Sequence, residues 1–358
     1  MKYYIREFRF LGENRRTAGG KAREDIELIL SKRNFHPVDI QMKEDKFHES
    51  SPQIFKKISG HQKRRKIWHQ QLLRLKRGDL LLIQIPIFFH SIFISSELKQ
   101  LVRRGVKIVL LVHDLELFRV SKRAPFLRRQ RLNFEEKSLL NIVDKIIVHN
   151  YKMRKELSAF GVEFKKAVSL EIFDYLIPEY EKRIDTMAFE KSKPVILAGN
   201  LSTKKAKYLS LLPSVPEFNL YGINYQDQGK KNIHYYGSFL PDQLPFALRG
   251  SFGLVWDGHS ADTCSGVYGE YLKINNPHKT SLYLASGIPV IIWKNAALAD
   301  FIQKNHCGIT IGSLSEISKR IEEMTESEYQ EIKANAENIG KKLREGFYTR
   351  KALSQCIS

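Results

Sequence analysis

Short, nearly uninterrupted apolar runs separated by longer segments of helical period constrain this chain most. LLLIQI at Leu80–Ile85 and KIVLLV at Lys107–Val112 show no polar alternation, so each is expected to be buried on both faces. A strand covered on both faces belongs to a parallel sheet flanked by helices, and the repeat strand–helix–strand predicts βα units. In the first half the strand candidates are Tyr3–Phe8, Pro37–Ile40, Leu80–Ile85, Lys107–Val112 and Lys145–Val148. A second series follows at Val195–Ala198, Phe218–Tyr221, Ile233–Tyr236, Gly253–Trp256, Pro289–Ile292 and Gly308–Ile311. Between them lies DYLIPEYEKRIDTMAFEKSK, charged and bounded by Pro178 and Pro194, which reads as a linker. The expected fold class is α/β, with Rossmann-like domains over residues 1–173 and 194–340 joined by 174–193. A helical tail at 341–358 is expected to pack back on the first domain. Two such domains leave a cleft between the C-terminal edges of their sheets, where ligands of open parallel sheets bind.

Composition narrows the partner. With 59 Lys and Arg against 39 Asp and Glu, the 358 residues carry a net charge of +20, so an anionic partner is expected. Nucleic acid, an anionic membrane and phosphorylated small molecules all fit that charge. No run approaches the roughly 18 apolar residues of a membrane span. The opening MKYYIREFRF lacks the apolar core of a secretory signal, and Cys264, Cys307 and Cys356 form neither a disulfide framework nor a zinc-ligand spacing. The expected location is cytoplasmic. Much of the excess charge lies in Lys56–Arg77 and Arg119–Arg131, which also carry Trp68 and Phe126. Cations beside apolar residues suit a helix lying on an anionic membrane surface, and equally a solvated helix covering a sheet.

The chemistry-bearing residues are sought in the loops after strands. LGENRRTAGGKA at Leu11–Ala22 offers Thr17, Gly19 and Gly20 before a helix. It matches neither GxGxxG nor GxxxxGK[ST], which disfavours a dinucleotide or P-loop site. Past Lys107–Val112 stand His113 and Asp114, an acid–base pair at the expected lip of the cleft or else an ordinary turn. The segment SGVYGEYLKINNPHKTSLYLASG places Asn275 and Asn276 before Pro277, and Lys279 in the first turn of a helix. A cation there opposes the helix dipole and makes sense if an anion sits beside it. The turns Gly199-Asn200-Leu201-Ser202 and Tyr236-Gly237-Ser238 are small enough for close backbone contact with a nucleotide, and Tyr221 could stack on a base.

RRTAGGKA, LVHDLELFR, LAGNLS and above all YGEYLKINNPHKTSLYLASGIPVIIW resemble the glucosyltransferase-3-like subfamily of bacterial glycosyltransferases. That group includes adhesin glucosyltransferases and polysaccharide galactofuranosyltransferases, and the resemblance covers nearly the whole chain. It implies a two-domain GT-B fold, a UDP-sugar donor held mainly by the C-terminal domain, and no metal or other cofactor. It further implies Thr17, Gly19 and Gly20 in the cleft-facing loop, Asn275, Asn276 and Lys279 at the diphosphate, and Lys204 with Tyr236 and Gly237 beside the nucleotide. Asn200 joins these as a donor-side residue from its strand-end turn. Proton transfer by Asp114 and His113, and a uracil contact by Tyr221, are inferences from the residues alone. The basic segments suggest a lipid-linked glycan acceptor on the inner face of the membrane. Homo-oligomerisation stays open. A nucleic-acid-binding protein is the rival of another class, but no RRM, KH, zinc-finger or helix-turn-helix signature supports it. A homologue that binds UDP without activity is the other alternative.

Overall fold

A computed structural model describes residues 1–8, 18–41, 54–119, 135–183 and 189–357. Among them are two parallel six-stranded sheets. The first contains β1 (Lys2–Phe8), β2 (Phe35–Gln41), β3 (Leu80–Ile85), β4 (Lys107–Val112), β5 (Lys145–Val148) and β6 (Ala167–Ser169), in the order β2-β1-β3-β4-β5-β6. The second contains β7 (Val195–Asn200), β8 (Phe218–Ile223), β9 (Ile233–Tyr235), β10 (Gly253–Val255), β11 (Val290–Trp293) and β12 (Gly308–Ile311), in the order β12-β11-β10-β7-β8-β9. Both are Rossmann-like. Their strand order reverses between β1 and β3 in one and between β7 and β10 in the other, and crevices for ligands open at such points.

The apolar runs are buried on both faces, as their composition requires. Along β3, Leu81 and Ile83 point to one face with Ile108 and Leu110 of β4, under Trp68, Leu72 and Leu75. Leu82, Val109 and Leu111 point to the other and join a core that continues into the second domain. Trp68 lies on α2 (Ile54–Leu72), which is therefore a sheet-covering helix. Its indole is fully buried and donates to Phe89 O at 3.3 Å, so Trp68 does not insert into a membrane. Arg64 donates to His90 O and Arg65 pairs with Glu97 at 2.6 Å against α3 (Ile94–Arg103). Lys63, Lys66, Arg74, Lys76 and Arg77 remain exposed. Phe126, Arg128 and Arg129 lie outside the described residues, as does Thr17.

The segment read as a linker is more deeply set than its charge suggests, because Tyr175, Leu176, Ile177 and Tyr180 are all buried. Strand β6 is absent from the sequence reading. At the C-terminus, Thr325 and Glu328 form a capping box at the start of α9 (Glu326–Arg344). Helix α10 (Phe347–Ile357) then crosses back to pack on β5 and β6. Asp174 fixes this crossing: its buried carboxylate accepts the N–H groups of Tyr348 at 3.1 Å and Thr349 at 2.6 Å.

Candidate active site

The second sheet brings its loops together where β7 and β10 lie side by side. After β7 the chain turns through Leu201 and Ser202 into the short helix α6 (Thr203–Ala206). After β10 it runs through Trp256, Asp257 and Gly258, and the N–H of Gly258 donates to Lys205 O at 2.8 Å. Gly258 has φ 115°, and a Cβ there would lie 2.2 Å from Ser265 O, so only glycine permits this approach. The junction leaves Asp257 buried, with Lys279 Nζ at 2.9 Å and Lys205 Nζ at 4.0 Å. Lys279 belongs to α8 (His278–Ala285), whose N-cap is Pro277, and its ammonium also donates to Trp256 O at 2.8 Å. Burial lowers the pKa of Lys279, opposed by the Asp257 carboxylate. The anion expected beside Lys279 from the helix dipole is an external one. The structure supplies an internal one, Asp257, whose carboxylate neutralises part of the charge a diphosphate would meet.

Beside this junction is a cavity of about 450 Å³ lined by Ser202, Thr203, Lys204, Asn224, Tyr225 and Gln226. Asn200 ties two of these residues, its Oδ1 accepting from Ser202 N at 3.0 Å and Asn224 Nδ2 at 3.1 Å. Tyr221 is buried. Its hydroxyl accepts from Arg249 N at 3.2 Å and its ring stacks on Tyr236 at 5.1 Å. Tyr236, half exposed, covers it, so the expected stacking of a base on Tyr221 is contradicted by its burial. Gly237 holds the neighbouring turn at φ 78°, its carbonyl accepting Gly222 N–H at 2.8 Å.

Asn275 and Asn276 part company. The Asn275 side-chain oxygen is buried without a hydrogen-bond partner. Asn276, also buried, gives its side-chain N–H groups to His149 O at 2.6 Å and Glu171 O at 3.0 Å, and its oxygen accepts from Asn150 Nδ2 at 2.7 Å. All three partners belong to the first half of the chain. Asn276 is thus an interdomain tie, with no amide group spare for a diphosphate.

On the first sheet, His113 and Asp114 follow β4. His113 Nε2 lies 2.7 Å from Gln84 Oε1 and its ring stacks on Phe173 at 5.4 Å. Burial, with Arg23 and two nearby histidines, holds its pKa well below the usual range, so it is neutral at pH 7. A neutral ring facing an amide oxygen donates to it, which ties His113 into the floor of the cleft. Asp114 Oδ2 accepts from Arg119 Nη1 at 3.0 Å, at the end of α4 (Glu116–Arg119), and its side chain keeps 38% of its surface open. Burial raises its pKa, opposed first by Arg119 and then by a hydrogen bond from Tyr271 and the charge of Lys205. Those last two residues come from the second domain, so Asp114 faces the cationic edge across the cleft. Gly19 and Gly20 lie in the first turn of α1 (Ala18–Ser31).

Family models match both halves of the chain: glucosyltransferase 3-like, N-terminal domain, over residues 2–172, and glucosyltransferase 3-like, C-terminal domain, over 195–356. The chain belongs to the glucosyltransferase 3-like family. It is a glycosyltransferase of GT-B fold. It is 34% identical to the β-1,6-galactofuranosyltransferase WbbI of Escherichia coli K12, across 99% of this chain and 98% of that one. Glucosyltransferase 3 of Streptococcus gordonii is 25% identical over 78% and 79% of the two chains. Among solved structures, the sucrose-phosphate synthase of Thermosynechococcus elongatus aligns with TM-score 0.62 at 12% identity, covering 99% of this chain and 97% of that one. Anabaena HepE, solved with UDP and glucose, aligns at TM-score 0.53 and 12% identity over 99% of each chain.

Sequence reasoning missed Asp257, Lys205, Arg119 and Tyr271. Asp257 follows a strand that was recognised, in a Trp-Asp-Gly turn, and the rule that strand-end loops carry chemistry would have found it.

Proposed function

We propose that this chain transfers a hexosyl group (glucose, galactose or galactofuranose) from a UDP-sugar to a hydroxyl of a lipid-linked glycan acceptor. Its place is cell-surface polysaccharide or glycoconjugate synthesis. The 34% identity to a galactofuranosyltransferase over the full chain favours galactofuranose first. The donor lies over the second sheet, its uracil on Tyr236 and its diphosphate between the Lys204–Lys205 turn and the N-terminus of α8. The acceptor enters from the first domain, where Asp114 takes the proton of the attacking hydroxyl. The observation that carries the reading is the opposition across the cleft of a carboxylate with a raised pKa and lysines at a sheet switch point.

Departure of UDP develops negative charge on the diphosphate, and fixed cations with backbone N–H groups stabilise it as it forms. Lys204, Lys205 and Lys279 serve that end without a divalent ion. Arg119 and Tyr271 hold the Asp114 carboxylate, and its partial desolvation makes it a stronger base. A thermal-shift series with UDP, with and without magnesium, tests the donor reading. Stabilisation by UDP alone is expected, about 2.7 kcal/mol at a hundredfold excess over Kd. A response that requires the metal refutes it.

The exposed cations Lys63, Lys66, Arg74, Lys76 and Arg77 support attachment to the anionic inner leaflet, at about 1 kcal/mol for each cation near the surface. Sedimentation with anionic but not neutral vesicles, lost in Lys63→Glu/Lys66→Glu, is the expected result. Arg64 and Arg65 are unsuitable for such a test because they bond within the fold.

A further inference from the structure

His149 directly follows β5 in the first domain and is 1% exposed. Both ring nitrogens have partners, and each partner fixes a proton. The Asn276 backbone N–H can only donate, so His149 Nδ1, 2.9 Å away, accepts and carries no hydrogen. The carbonyl of His113 can only accept, so His149 Nε2, 3.0 Å away, is protonated. The ring is therefore the neutral Nε2–H tautomer, fixed by geometry. Burial works in the same direction, lowering its pKa to about 4.

The two atoms it joins belong to opposite halves of the cleft. His113 O precedes the amide of Asp114. Asn276 is the second residue before His278, where α8 starts and carries Lys279. The surroundings leave the ring no freedom. Phe173 packs edge-on at 5.0 Å, and the carbonyl of His149 itself accepts from Asn276 Nδ2 at 2.6 Å. Next to it, Asn150 gives its amide to Ile274 O at 2.9 Å and to Asn276 Oδ1 at 2.7 Å. Two consecutive residues of the first domain thus grip two of the second, Ile274 and Asn276, around one imidazole.

We infer that His149 is a positioning residue for glycosyl transfer: as a neutral Nε2–H imidazole it sets the spacing between the main chain that carries Asp114 and the helix start that carries Lys279. It touches neither substrate. Its effect is on the geometry in which hydroxyl, anomeric carbon and diphosphate meet, where a misplacement of about 1 Å costs about a hundredfold in rate. The inference rests on the proposed roles of Asp114 and the α8 N-terminus.

His149→Phe keeps the ring's shape and removes both bonds, while His149→Gln offers an amide donor and an acceptor. With UDP-galactofuranose and a glycan acceptor, His149→Phe is expected to lower kcat by 10- to 100-fold while the Kd for UDP stays within about twofold, since one domain holds the nucleotide. His149→Gln is expected to recover at least part of kcat. Nitrogen-15 NMR of the parent should show Nδ1 unprotonated and Nε2 protonated at pH 7. Unchanged kcat in a folded His149→Phe, or a protonated Nδ1, overturns the inference, and the NMR result decides it should that variant fail to fold. Asp114→Asn separates the two readings. If it retains turnover, the catalytic base is elsewhere while the His149 result stands. If it is inactive and His149→Phe is fully active, the positioning role falls and the base remains.

Discussion

The two domains share an architecture and differ in what they place at the cleft. The second offers charge: Lys205 and Lys279 flank the buried carboxylate of Asp257 at the β7–β10 junction, and Lys204 lines the cavity beside it. The first, among the described residues, offers neutral and desolvated groups. His113 and His149 are held uncharged, and Asp114 has a raised pKa. Its own cations near the cleft are already engaged, Lys21 by Asp25 and Asp242 at 2.7 and 2.8 Å, and Arg23 by Pro86 O. On the proposed reading, one fold serves two tasks by changing the residues that edge the cleft. Fixed positive charge suits a leaving diphosphate, while a partly desolvated carboxylate suits removal of a proton from a neutral hydroxyl.

The largest expected effect breaks the contrast on the first side. Asp114→Asn removes the proposed base and is expected to lower kcat by about 10²–10⁴-fold, the span of general-base contributions, with UDP affinity unchanged by calorimetry. On the other side, Lys279→Ala leaves Asp257 buried with only the more distant Lys205. Loss of one partner of such a pair costs about 3–5 kcal/mol, so chemical denaturation should register the variant more strongly than UDP binding does. Lys279→Ala/Asp257→Asn should recover part of that stability. Equal stability of parent and single variant would show that the buried pair is not what holds α8 to β10.

A smaller effect comes from protons. His149 titrates near 6.5 when unfolded and near 4 when folded, so the unfolded chain binds more protons between those values. Its contribution to stability is complete above pH 6.5 and is lost as the pH falls toward 4, by at most about 3 kcal/mol. Asp25, Glu27 and Glu136, each pushed up to about 7 by burial, act in the opposite sense. The informative quantity is the difference between the parent and His149→Gln, which should shrink or reverse on acidification from pH 6.5 to 4. A difference independent of pH would mean the ring is not buried neutral. The smallest effect sharpens the nucleotide side: Tyr236→Ala should weaken UDP binding by about 1–3 kcal/mol, the worth of one stacked base, whereas Tyr221→Phe should barely change it.

The sheets were legible in the sequence because both faces of β3, β4 and β11 are buried, and double burial leaves few polar residues in a strand, Gln84 alone within β3. Surface helices were less so. Ile67, Trp68, Leu72 and Leu75 among cations describe a helix on a membrane as well as one on a sheet, and only the placement of Trp68 over β3 and β4 decides. Tyr221 and Tyr236 show the same limit. Tyr221 lies within β8 and Tyr236 just past β9, and which ring covers the other depends on pairing between β8 and β9. The anion beside Lys279 was rightly demanded by the helix dipole, yet Asp257 lies 22 positions earlier and reaches it only through the packing of α8 on β10. His149 carried no signal at all, since a strand-end histidine gains meaning only when Asn276 is brought against it.

The division of labour is tested most directly by titrating UDP into Asp114→Asn and Lys204→Ala/Lys205→Ala side by side in metal-free buffer. The account predicts that the aspartate variant binds with the parent's Kd and heat, while the double lysine variant loses at least tenfold in affinity. UDP binding that survives loss of both lysines, or fails with loss of Asp114, would contradict it.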